Sequence, residues 1–83
     1  MARRKHRLTL NEPATYTIRV QGTLGADWSD RLGGMQITVS AARDNPVTEL
    51  IGRLPDQQTL IGVLTSLYDL GLPLLSVERV PPP

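Results

Sequence analysis

The chain has 83 residues, nine basic and eight acidic, a formal net charge of +1, 40% hydrophobic residues and no cysteine. At 9.1 kDa it supplies one domain, and a chain of this mass buries only roughly 60% of the surface its unfolded form exposes, so self-association is a natural supplement to its core. The missing cysteines exclude a disulfide scaffold, a thiol nucleophile and a Cys-type zinc site, and a single histidine, His6, excludes a histidine cluster.

Charge is distributed unevenly. Arg3, Arg4, Lys5 and Arg7 hold four of the nine basic residues, so residues 8–83 carry five basic against eight acidic groups, a net of −3. Asn11, Glu12 and Pro13 form a boundary, because proline lacks a backbone donor and restricts the residue before it. Residues 1–13 therefore read as a flexible basic arm, 14–80 as a single domain and Pro81, Pro82 and Pro83 as a proline tail that cannot extend a strand ladder. No apolar run approaches the ~20 residues needed to cross a bilayer, and no hydrophobic segment follows the basic start. The expectation is a cytoplasmic protein without a membrane span.

From Ala14 to Gln21, Tyr16, Ile18 and Val20 alternate with Thr15, Thr17, Arg19 and Gln21, the period of a half-buried strand. The same alternation returns from Met35 to Ser40. Asp44, Asn45 and Pro46 supply turn chemistry, and Val47 to Leu54 then reads as a third strand, the hairpin partner of the second. In it Leu50 and Leu54 point one way and Val47 and Ile51 the other, while Gly52 signals a bulge or a close approach of another backbone.

Asp56 to Gly71 reads as the helix. Asp56 is placed to cap its first turn, and Leu60, Val63, Leu64 and Leu67 recur at steps of three and four. Ile61 and Tyr68 widen that stripe, which predicts a helix lying flat on a sheet. Gly71, Leu72 and Pro73 fit a Schellman ending. Leu74 to Val80 follows as the fourth strand, and the strand, helix, strand crossover predicts that strands three and four run parallel. The fold class expected is α+β: a four-stranded mixed sheet in the sequence order β-β-β-α-β, with one helix packed on one face. The favoured strand order is 3-2-1-4, and strand four beside strand three is the alternative. Thr15, Thr17, Arg19, Gln21, Gln36, Thr38 and Ser40 would form a polar second face that meets water, and the alternative is that two copies stack these faces or join strand edges into a continuous sheet. Leu74 and Ile51 are expected to point outward, near any self-contact.

Thirteen residues, Gly22 to Gly34, join strands one and two. That is too long for a tight hairpin, and loops of this length usually have internal order or a function. One helical turn capped by Asp27 fits here, with Trp28 and Leu32 closing an open end of the core. Asp27, Trp28, Asp30 and Arg31 are the alternative reading, a partner-binding patch. Gly22-Thr23-Leu24-Gly25 has the form of an RNA-clamping Gly-x-x-Gly loop, but it follows a strand where that loop sits between helices. Asp69 breaks a local rule, since a carboxylate in the last helical turn meets the negative end of the dipole. Arg31, Arg53 and Arg79 are candidate partners for it.

The run Asp56-Gln57-Gln58-Thr59-Leu60-Ile61-Gly62-Val63-Leu64, followed by Asp69-Leu70-Gly71-Leu72-Pro73-Leu74-Leu75-Ser76-Val77, resembles a family of short uncharacterised bacterial proteins. Tyr16-x-Ile18-x-Val20-x-Gly22 and Trp28 with the glycines after it share the likeness, which spans residues 16–80. The resemblance implies a freestanding small bacterial domain. It implies no activity, and no functional residue carries over from it.

Three functional expectations follow. The first is a noncatalytic interaction or scaffolding module acting as a homo-oligomer, in the simplest case a dimer, whose Trp28 loop meets a protein partner or a small ligand. The second is a nucleic-acid-associated regulator that lays Arg3, Arg4, Lys5 and Arg7 on phosphates. The third is an enzyme at a subunit boundary, which requires Asp27, Asp30 or Asp69 to converge in a cleft. No phosphate loop, nucleophile elbow or zinc-binding helix motif is present, so the expectation is no enzyme, no catalytic or metal residues and no cofactor.

Overall fold

The alternating segments become strands, in a computed structural model that describes residues 8–40 and 44–81. The strands are β1 (Ala14–Gln21), β2 (Gln36–Val39), β3 (Val47–Leu54) and β4 (Leu74–Val80); a 3-10 helix spans Ala26–Arg31 and α1 spans Gln57–Asp69. The basic residues Arg3, Arg4, Lys5 and Arg7, the first part of the expected turn at 41–43 and Pro82 and Pro83 lie outside the described residues. Residues 8–13, expected within the arm, touch the domain: Leu8 packs against the core and the Leu10 carbonyl accepts from Gln57 N–H at 3.0 Å.

The architecture is α+β, one helix on a four-stranded sheet, with strand order β2-β3-β1-β4. This corrects the expected 3-2-1-4 order. β4 lies beside β1 as expected, but β3 is interior and β2 is the edge. Length explains the exchange, because the eight residues of β3 pair along the whole of β1, Ala14 with Leu54 through Gln21 with Val47, whereas β2 has four. Short strands suit edges, where fewer backbone groups are left open. The expectation of a mixed sheet is also corrected. β3 and β4 do run in the same direction, as a crossover requires, but β1 lies between them and is antiparallel to both, so every neighbouring pair is antiparallel.

The core lies between the sheet and α1. Tyr16, Ile18 and Val20 of β1, Leu50 and Leu54 of β3, and Leu60, Val63 and Leu67 of α1 are all buried, together with Leu24, Leu32 and Met35 from the long connection. Each fully buried aliphatic side chain contributes ~1.5–3 kcal/mol. Thr48 is the polar member, fully buried, with its hydroxyl donating to the Gly22 carbonyl at 2.7 Å. Gly52 reads as the close approach and not the bulge: register is continuous along β1 and β3, and a Cβ there would stand 3.1 Å from Met35 Cα.

Both ends of α1 follow their sequence signals. Asp56 Oδ1 accepts from the Thr59 N–H and hydroxyl, each at 2.8 Å. At the other end Gly71 has φ +80°, its N–H reaches Tyr68 O at 2.9 Å and Leu72 N–H reaches Leu67 O at 3.2 Å, the paired bonds of a Schellman ending. The stripe is wider than the sheet covers, however. Ile61 and Tyr68, expected against the sheet, are 61% and 80% exposed.

Candidate functional site

The connection between β1 and β2 is built by its own backbone. Trp28 N–H bonds Gly25 O, Leu32 and Gly34 N–H both bond Ser29 O, and Ser29 Oγ donates to Met35 O at 2.6 Å. Gly33 and Gly34 carry positive φ in succession, which turns the chain into β2. Asp27 does not cap the 3-10 helix, since the capping position is Gly25 and no side chain bonds the first turn. Leu32 is fully buried and Trp28 is half-buried against the core, so the pair closes one end of it.

The exposed side of Trp28 forms one wall of a surface pocket of about 240 Å³, lined by Trp28, Arg31, Leu32, Ser66, Asp69 and Leu70. The Arg31 guanidinium lies 5.2 Å from the Trp28 ring centroid, within range of a cation–π contact. Trp28 and Arg31, two of the four sequence-predicted patch residues, thus meet at the pocket. Asp27 and Asp30 are exposed and do not line it. The structure adds Asp69 and Ser66 from α1, which brings one cation and one carboxylate to the same mouth. Among the described residues Asp69 makes no ion pair with Arg31, Arg53 or Arg79. The signal for Asp69 was its rule-breaking place at the helix end; Ser66 carried none.

The open face of the sheet joins an ion-paired Arg19 to two exposed apolar side chains, Val80 and Ile51, the latter pointing outward as expected. Arg19 reaches Glu49 at 2.9 Å and Glu78 at 3.6 Å, linking β3, β1 and β4. More exposed apolar side chains lie on the helix side. The pocket and the loop engage α1 through Ser66, Leu70 and Val63, so Ile61, Leu64 and Tyr68, which share the opposite flank at helical spacing, face the β4 side. There Val77 pairs with Ile18, and a register shift that passes over Leu75 brings Leu74 to Val20, so both lie on the helix side, a correction for Leu74, which was expected to point outward; they nevertheless remain 37% and 53% exposed. α1 does not reach over β4, and the core is left unfinished along that edge.

Among the described residues no group of three potential metal ligands occurs, and no helix is long and apolar enough to cross a membrane. Fold and site together define a small α+β module with an open apolar edge and a side-chain-sized pocket. The chain belongs to the family described as Domain of unknown function (DUF8691), whose model matches residues 15–78. No curated protein and no solved structure matches it.

Proposed function

We propose that this chain is a noncatalytic interaction module that works as a homo-oligomer. The observation that carries the reading is the placement of its exposed apolar side chains: Ile61, Tyr68, Leu74, Leu75 and Val77 gather on one flank of α1 and on β4. A contiguous apolar surface of this kind marks a contact site, and a domain with so small a core gains stability by covering it. The open face, by contrast, exposes fewer apolar side chains, and its Arg19 is tied to two carboxylates.

The Trp28 pocket supports a second contact, with a protein partner. At about 240 Å³ it lies below the ~300 Å³ at which metabolite pockets begin, and it fits a side chain presented by another chain. Of Asp27, Asp30 and Asp69, Asp69 alone lines it. We place the module in the bacterial cytoplasm, in keeping with the family resemblance and the absence of a long apolar helix.

Light scattering of the full chain at low and high salt tests the reading. An oligomer at both is expected, since apolar burial is not weakened by salt. A monomer at every concentration overturns it. The alternative, nucleic-acid binding by Arg3, Arg4, Lys5 and Arg7, predicts instead an affinity for duplex DNA or RNA that falls steeply with salt and disappears when those four are replaced by Ala.

A further inference from the structure

The lining of the Trp28 pocket is sorted by depth. Leu32 is fully buried, Trp28 and Ser66 are half-buried, and Arg31, Asp69 and Leu70 stand exposed around the mouth. Apolar surface is thus deepest and charge outermost. The two charges do not satisfy each other: Arg31 rests over the Trp28 ring, 5.2 Å from its centroid, and among the described residues neither Arg31 nor Asp69 forms an ion pair.

The α1 side of the mouth is built to accept hydrogen bonds. Asp69 lies in the last helical turn, where its charge adds to the negative end of the helix dipole. Ser66, three residues earlier, shares that face of the helix and lines the same pocket, and its hydroxyl makes no hydrogen bond among the described residues. A carboxylate, a hydroxyl and a helix C-terminus therefore meet at one point, and no described residue supplies them with a donor.

We propose that this pocket captures the N-terminal residue of a partner chain. Its α-ammonium group bonds Asp69 and Ser66, its peptide carbonyl accepts from Arg31, and its apolar side chain packs on Trp28, Leu32 and Leu70. The inference rests on the reading of this pocket as a partner contact and names the part of the partner that enters. A lysine side chain fits less well, because a stem that fills the pocket carries its ammonium to the apolar depth, where desolvation is costly, and away from Asp69. An N-terminal residue keeps its charge at the rim while its side chain points in. The volume of about 240 Å³ equals that of roughly eight waters, the scale of one aliphatic residue of leucine size. Asp27 and Asp30, exposed on the 3-10 helix that carries Trp28, extend the negative potential that draws such a terminus in.

Trp28 is the single tryptophan, so its emission reports on this pocket directly. Titrating the full chain with a tetrapeptide amide, one leucine followed by three alanines, should shift that emission to shorter wavelength and saturate. N-acetylation of the peptide should weaken binding about tenfold or more, because a charge-assisted bond is lost. Asp69→Asn should weaken the free-amine peptide by about the same factor and leave the acetylated peptide unaffected; it removes a charge from the unfavourable helix end, so the variant should be no less stable than wild type in a thermal melt. If the acetylated peptide binds as tightly as the free one, if D69N has no effect, or if an acetylated peptide with lysine in place of leucine binds best, the N-terminal assignment is overturned and a side-chain contact remains. Free leucine bound as tightly as the peptide overturns the assignment in favour of the amino acid itself. No emission change with any peptide at millimolar concentration overturns both the assignment and the partner contact, while leaving self-association through the other flank untouched.

Discussion

Gly22 occupies a position that no other residue fills without strain. Its φ is +111°, its N–H bonds Pro46 O, its carbonyl accepts from the buried Thr48 hydroxyl, and a Cβ would stand 2.9 Å from Leu72 Cδ2. Gly22→Ala should cost about 1–3 kcal/mol, measured as a lower urea midpoint. Gly34→Ala, with φ +73° but open space around it, should cost less, because only the backbone is strained. Asp56 carries the residue-scale pH dependence. The Thr59 N–H and hydroxyl bonds hold its carboxyl below the usual aspartate value. A lowered folded-state pKa contributes stability above the unfolded-state value and loses it as pH falls through the folded value. Asp56→Asn keeps the capping oxygen but not the charge. Wild type should therefore be the more stable at neutral pH, and thermal melts should show the gap closing as pH falls below about 4.

At the scale of the element, the strands and the helix were legible from local signals, that of β3 being the least clean because Gly52 interrupts it. Alternation marked β1, and the cap, the stripe and Gly71 marked α1. Strand order was not legible. It depends on which pairs bury most surface, and β3 was drawn beside β1 by their equal length and by Leu50 and Leu54 facing the same side as Ile18. Local pattern carries no such information. The reading of Ile61 and Tyr68 failed for a related reason: an apolar stripe states that a helix face is covered, not what covers it. Trp28 and Arg31 were legible as a pair because they lie three residues apart in one connection. Asp69 joins them only through packing of α1 against that loop, which sequence spacing does not encode.

For the whole molecule, the decisive feature is asymmetry. One edge of the sheet is the short strand β2. The other is β4, seven residues long and exposed along most of its length, beside an uncovered helix flank. Long open edges are liabilities that proteins blunt or pair. Here the flanking prolines and the register shift at Leu75 blunt the edge, and the exposed apolar side chains beside it are the surface that self-association would cover. Such a dimer leaves the two Trp28 pockets free, since they lie across α1 from the contact, so self-association and partner binding would be independent functions of opposite flanks.

The most direct measurement is amide hydrogen exchange of the full chain at two protein concentrations. Edge-strand amides that face water exchange quickly, whereas those paired across an interface are protected. The account predicts that amides of residues 74–80 gain protection as concentration rises and this flank is covered, while the outward amides of β2 do not change. Exchange across β4 that is fast at every concentration would contradict it.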